Sequence, residues 1–289
     1  MKQSQKKTKC LGAAGFEQYY SDLFGERWIG LKAALQSEPD YLAWKAGGSE
    51  SYYLDSGSVR AALTLPLSNA RHILDLCAAP GGKTLVLASC MNADAELLSN
   101  ERSPDRKNRL VKVCDSCLSA EKRSRVTIAC HDGAKMCLSQ TACFDAILLD
   151  APCSSERHVL ADSKYLAEWT PSRIKTLSMS QWALLSSAWR MLSPGGYLVY
   201  STCALSPDEN DMVVARLAKK ITDATVCEPA ISSDCAPWCG LSAEALPAYE
   251  KTTYGAHILP DKAGGAGPLY FSLLKKYNKK TKNLEKSLD

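Results

Sequence analysis

With 289 residues, 46% of them hydrophobic and 23% charged, the chain has the composition of a globular protein rather than a disordered or low-complexity one. No uninterrupted apolar run approaches the roughly 18 residues a membrane span needs, which excludes a transmembrane role. The formal net charge of +4 sits at the ends: residues 1–10 hold four lysines and no acid, and residues 275–289 hold six lysines against Glu285 and Asp289, so residues 11–274 carry −4 and form no basic slab for nucleic acid.

The lysine-rich start has no apolar stretch behind it and no Arg-rich amphipathic pattern, so it reads as a basic flexible tail and not as a signal peptide or presequence. From Phe16, the positions Phe16, Tyr19, Tyr20, Leu23, Phe24 and Trp28 recur at helical spacing and predict one amphipathic helix whose apolar stripe faces a core. Residues 44–51 pass through Gly47 and Gly48, a loop that would set a helical N-terminal extension, 11–70, apart from the rest of the chain. From residue 72 short apolar strands alternate with helical stretches. Strands are expected over 73–76, 96–99, 126–129, 144–149 and 197–200, and helices over 83–91, 104–117 and 171–191. That rhythm defines an α/β fold with a mostly parallel sheet, into which residues 269–274 would insert as a late strand. A second basic tail closes the chain at 278–289.

Thirteen cysteines, odd in number and irregular in spacing, fit reduced thiols of an intracellular protein better than a disulfide framework. The close pairs Cys114/Cys117 and Cys235/Cys239 lack further ligands at zinc-finger spacing, so no metal is expected and buried thiols are.

In such a sheet ligands bind at the carboxyl ends of the strands. The first strand runs into Cys77-Ala78-Ala79-Pro80-Gly81-Gly82-Lys83-Thr84, where small residues let backbone amides approach a ligand at a helix N-terminus. A phosphate-cradling loop needs glycine five positions before the Gly82-Lys83-Thr84 end, and Cys77 stands there; the Gly-x-Gly-x-x-Gly dinucleotide pattern is absent too. S-adenosylmethionine remains, since its methionine arm needs close backbone but no phosphate cradle. Glu101, nineteen residues after Gly82 at the end of the second strand, is placed to bind ribose hydroxyls. Later strands end in His131-Asp132-Gly133, Asp150-Ala151-Pro152-Cys153 and Ser201-Thr202-Cys203, so two thiols reach the same edge as the methyl-donor loop.

The Leu74 to Thr84 run, Asp150-Ala151-Pro152-Cys153 and the Ser201 to Asn210 block, with Glu209-Asn210 six and seven residues after Cys203, resemble the signature blocks of the RsmB/Sun (NSUN) family of RNA cytosine-5 methyltransferases. The resemblance runs from about Phe16 to Tyr277. The Cys153-Ser154-Ser155-Glu156-Arg157-His158 stretch is closer to the short mitochondrial-type branch than to the commoner Gly-containing form. The closing block, from His257 to Phe271, has His where Arg is usual and Gly267-Pro268 where Asp-Gly is usual.

This resemblance implies a Rossmann-like class I methyltransferase domain over 71–277, with a seven-stranded sheet and helices on both faces. It implies transfer of a methyl group from S-adenosylmethionine to carbon 5 of cytosine in ribosomal or transfer RNA. That carbon is too poor a nucleophile unaided, so a thiolate adds at carbon 6 first. By resemblance Cys203 attacks, Cys153 assists product release, Asp150 orients the cytosine near the methionine end of the cofactor, Asp132 meets the adenine edge, and Arg106 joins Glu101 around the cofactor. An ordinary thiol, with pKa about 8.5, is mostly protonated at neutral pH, and Lys83 is the candidate cation to lower it. The target base must be unstacked. Recognition would rest on the N-terminal extension, the lysine tails or a partner protein, in the cytoplasm or, for the mitochondrial-type branch in a eukaryote, the mitochondrion. DNA cytosine methylation, in which the Pro-Cys cysteine attacks, and an RNA-binding assembly scaffold are the alternatives. The first gives the Ser201 to Asn210 block no role, and the second would be marked by loss of a cysteine, whereas both are present.

Overall fold

A computed structural model describes residues 11–231 and 243–278; the two basic tails, but for Asn278, and the Cys235/Cys239 pair lie outside the described residues. The aromatic stripe forms two helices, not one. α1 (Gly12–Phe24) ends at Gly25, whose φ of 58° turns the chain, and α2 (Arg27–Gln36) comes next. Phe16, Tyr20 and Trp28 are buried as the periodicity predicts, while Leu23 is exposed. The extension is not wholly helical: β1 (Tyr41–Trp44) and β2 (Tyr52–Asp55) pair as an antiparallel hairpin before α3 (Ser56–Leu63), which Asp55 caps by accepting from Ser58 N. The glycine loop between β1 and β2 does not stand free. Gly48 N donates to Cys117 O at 2.9 Å, and a Cβ on Gly48 would lie 2.4 Å from the Cys117 carbonyl carbon, so only glycine allows this approach.

The α/β alternation then runs β3 (His72–Asp75), α4 (Gly82–Cys90), β4 (Glu96–Asn100), α5 (Pro104–Cys117), α6 (Ala120–Ser124), β5 (Val126–Ala129), β6 (Phe144–Asp150), α7 (Glu156–Ala161), α8 (Ser163–Ala167), α9 (Pro171–Met191), β7 (Leu192–Thr202), α10 (Asp211–Lys220), β8 (Ala224–Cys227), β9 (Glu250–Lys251), β10 (Ala256–Ile258) and β11 (Leu269–Lys276). α5 starts where Ser103 caps and Pro104 takes the first turn, as the sequence signals. Cys114 and Cys117 are buried free thiols in it.

The sheet order is β5-β4-β3-β6-β7-β11-β10-β9, parallel as far as β7 and antiparallel beyond, with the late strand β11 between β7 and the edge. It has nine strands among the described residues where seven were expected, because short strands share the edge: β8 pairs one end of β11, β10 the other, and β9 extends β10. Both faces are covered. Ile73, Leu148 and Val199 pack in one cluster with α3, α4 and α5, while Leu74, Ile147 and Leu198 pack in the other with α9 and α10. A third cluster joins Phe16, Tyr20 and Trp28 to Val159 of α7, Trp169 and Leu205, which docks the N-terminal helices onto the segments just after β6 and β7.

Candidate active site

The parallel register sets Asp150, the last residue of β6, beside Ser201 of β7, so the two loops beyond them leave the sheet side by side. Each carries a cysteine. The Sγ atoms of Cys153 and Cys203 are 3.0 Å apart, and Ser155 Oγ is 2.9 Å from Cys203 Sγ. Three buried polar residues fix this meeting. Glu156 accepts from Tyr20 OH and from Ser154 Oγ through one carboxylate oxygen, and from Leu205 N at 2.9 Å through the other, tying both loops to α1. Glu209 accepts from Ser154 N at 3.0 Å and Gln181 Nε2 at 2.8 Å. Asn210 accepts from Thr202 Oγ1 at 2.6 Å and donates to Ala204 O at 2.8 Å. The Glu209-Asn210 pair thus shapes both cysteine turns from one place, Glu209 that of Cys153 and Asn210 that of Cys203.

The two thiols differ in acidity. Hydrogen bonds with Cys153 and with Ser155 bring Cys203 below the ordinary thiol value against its burial, whereas the contact with Cys203 and burial hold Cys153 well above it. The pair is therefore asymmetric, with Cys203 the more acidic of the two thiols. Burial pushes Glu209 up to about 7, with Glu156 adding to the effect, and raises Glu156 too.

Lys83, in the first turn of α4, reaches Asp150 Oδ2 at 2.8 Å and Ser58 Oγ at 3.0 Å; Ser201 Oγ donates to Asp150 Oδ1 at 2.9 Å. Burial would lower the Lys83 pKa, but Asp150 outweighs it and keeps the ammonium charged. Its charge is spent mainly on Asp150, and what lowers the pKa of Cys203 against burial is its hydrogen bond with Cys153 and, less, that with Ser155.

Two adjoining cavities share Tyr41, Asp55, Ser58, Lys83 and Asp150. One, ≈ 270 Å³, is lined by Cys77, Ala78, Ala79, Pro80 and Gly82 with Asp75 and the hairpin residues Tyr52 and Tyr53. The other, ≈ 410 Å³, holds Cys203, Ser155, Arg157, His158, Gly267 and Pro268. Gly81 turns the loop at φ 122°, where a Cβ would meet Val113 at 3.0 Å. Glu101 is buried beside this loop. Arg106 bridges them, donating to Ala79 O at 2.7 Å with its other nitrogen 3.3 Å from Glu101 Oε2, an oxygen that accepts no hydrogen bond. Asp132 stands apart from both cavity linings, its carboxylate accepting from Ala134 N.

Sequence reasoning did not single out Ser155, Glu156, Asp55, Ser58, Gln181 or the hairpin tyrosines. Glu156 carried no local signal, since Ser154, Ser155, Arg157 and His158 around it read as an ordinary polar loop. His257, one of the departures in the closing block, is buried; burial lowers its pKa to about 4, and it lies by the Ala204 backbone rather than lining either cavity.

The strand order, the small-residue loop after β3, the acid ending β4 and the late antiparallel strand define a Rossmann-like methyltransferase fold. A methyltransferase homologue from Pyrococcus horikoshii shares it, with a TM-score of 0.65 and 19% identity over 90% of this chain and 94% of that one. Residues 62–263 match the family model described as 16S rRNA methyltransferase RsmB/F, and the chain belongs to that family. The ribosomal RNA small subunit methyltransferase F of Erwinia tasmaniensis is 40% identical over 159 residues, 55% of this chain and 32% of that protein. The mitochondrial tRNA (cytosine(34)-C(5))-methyltransferase of Mus musculus is 34% identical over 252 residues, 85% of this chain and 70% of that protein. The chain thus spans about a third of the first relative and more than two thirds of the second.

S-adenosylmethionine fits the residues present. The N-cap of α4, Gly81, has no side chain to satisfy the first amides of that helix, leaving them for a carboxylate, and the unbonded oxygen of Glu101 is an acceptor for hydroxyls. The described residues hold no group of three or more acidic, His or Cys side chains that could bind a metal ion, and no helix long and apolar enough to cross a membrane.

Proposed function

We propose that this chain transfers a methyl group from S-adenosylmethionine to carbon 5 of an unstacked cytosine in ribosomal or transfer RNA, through a covalent adduct at carbon 6. The observation that carries the reading is a pair of cysteines with sulfurs 3.0 Å apart, of which Cys203, the more acidic, lines a cavity that shares Lys83 and Asp150 with the cofactor cleft. RNA as the polymer rests on the relatives, whose names specify ribosomal RNA and cytosine 34 of tRNA.

The bound cofactor supplies an electrophilic methyl group. Cys203 adds to carbon 6 through its sulfur, which makes carbon 5 electron-rich enough to take that methyl. Asp150, held by Lys83 and Ser201, faces both cavities and orients the cytosine ring. Loss of the carbon 5 proton to solvent then restores the aromatic ring as the carbon–sulfur bond breaks, and the S–H of Cys153 stabilises the departing Cys203 thiolate. Glu101 and Arg106 bind the cofactor, with Asp132 toward its adenine edge. The domain from residue 71 onward holds these groups, while the extension 11–70 and the lysine-rich ends, or a protein partner, present the RNA.

Tritium-labelled methyl transfer to total RNA from a strain lacking the protein tests this. Wild type is expected to place label in 5-methylcytidine, and Cys203→Ala to lower the rate by about 10⁴-fold or more. Bound cofactor without label in any RNA contradicts it.

A further inference from the structure

The hydroxyl of Ser155 occupies a place that backbone preference argues against. Ser155 has φ 61° and ψ 63°, the left-handed region that favours glycine; Ala142 is the other non-glycine with positive φ among the described residues. The conformation is imposed from both sides. Ser154 N is bound to Glu209, Glu156 is clamped by Tyr20 and Leu205, and Ser155 O accepts from Val159 N at 3.0 Å. The effect is to aim the side chain at Cys203 Sγ, 2.9 Å away, from the wall of the larger cavity. Cys153 is not part of that wall, so the two hydrogen-bond partners of the sulfur differ: one lines the substrate space and one does not.

We propose that Ser155 is a catalytic residue, donating a hydrogen bond through Oγ–H to Cys203 Sγ so that the sulfur stands as an oriented thiolate before substrate arrives. A thiolate accepts from a hydroxyl more strongly than a thiol does, so the contact favours the charged form. The lowered pKa of Cys203 agrees, with Ser155 one of its causes. As the carbon 6 bond forms, the sulfur loses its charge and releases the hydroxyl; as the bond breaks, the hydroxyl receives it again. No proton leaves Ser155. The role as a nucleophile's partner rests on the cytosine-5 reading above, but the hydrogen bond can be tested apart from it.

The test is the pH dependence of Cys203 alkylation by iodoacetamide, followed by peptide mass mapping on the full chain without RNA or methyl donor. Ser155→Gly removes the hydroxyl and suits the backbone; Ser155→Ala removes it and keeps the β-carbon. Both are expected to raise the inflection for Cys203 by about one unit, leaving roughly a tenth of the thiolate when pH is below the pKa. In methyl transfer the same variants are expected to lower kcat at neutral pH by about tenfold, recovering at higher pH, with KM for RNA little changed. An unshifted alkylation profile in both variants overturns the role of Ser155 whatever the methylation result. A shifted profile in a chain that methylates no RNA upholds the contact and rejects the cytosine-5 reading instead.

Discussion

The loops after β6 and β7 start level in the sheet, each delivers one cysteine, and the two sulfurs touch, yet Cys203 is made more acidic than an ordinary thiol and Cys153 less. Position at a strand end therefore does not assign chemistry. What differs is the surroundings: Cys203 meets the Ser155 hydroxyl as well as the Cys153 sulfur, while Cys153 lies near Glu209 and Glu156, which oppose its ionisation. The supports differ as well. The Cys153 loop hangs on Glu209, the Cys203 loop on Asn210 and on His257, which meets the Ala204 backbone, and Glu156 grips both loops.

Glu156→Ala breaks the comparison altogether. It strips acceptors from Tyr20 OH, Ser154 Oγ and Leu205 N in a buried setting, and a loss of about 4 kcal/mol is expected in urea denaturation, with methyl transfer lost even under native conditions. Tyr20→Phe, which removes one of those donors and leaves the others, is expected to cost about 1 kcal/mol in the same assay.

Two changes sharpen the comparison by pH, one beside each loop. Glu209 titrates at about 7 in the fold against 4.5 outside it, so the unfolded chain ionises first and stability falls as pH rises from about 4.5 to 7, by about 3 kcal/mol. His257 titrates at about 4 against 6.5, so its neutral form supports the fold above 6.5 and stability is lost as pH falls from 6.5 toward 4, also by about 3 kcal/mol. Glu209→Gln is expected to flatten the alkaline side of the stability profile and His257→Gln the acid side. Denaturation midpoints measured from pH 4 to 8 check both; a slope surviving in either variant assigns that ionisation elsewhere.

The cofactor loop was legible because its chemistry is local: small residues between an apolar strand and a helix show in eleven consecutive letters, from Leu74 to Thr84. The parallel strands were legible for a related reason, since strands buried on both faces read as continuous apolar runs. The rest depends on distant partners. Tyr20 meets Glu156 across 136 positions, and nothing near either residue announces it. The aromatic stripe from Phe16 to Trp28 keeps helical spacing across Gly25, so periodicity alone hid the turn. β9 and β10, two and three residues long, are fixed by pairing with β11 rather than by any pattern of their own. Lys83 was marked as a cation near a thiol, but the partner that dominates it, Asp150, lies 67 positions away. Ser155 looked like any loop serine until its backbone angles showed where the hydroxyl points.

The division of labour between the two cysteines is tested most directly by adduct formation with substrate RNA, resolved on a denaturing gel in the presence of S-adenosylmethionine. If Cys203 attacks and Cys153 assists release, Cys153→Ala accumulates a denaturation-resistant protein–RNA species and Cys203→Ala forms none. Accumulation in Cys203→Ala, with none in Cys153→Ala, would reverse the roles and contradict the account.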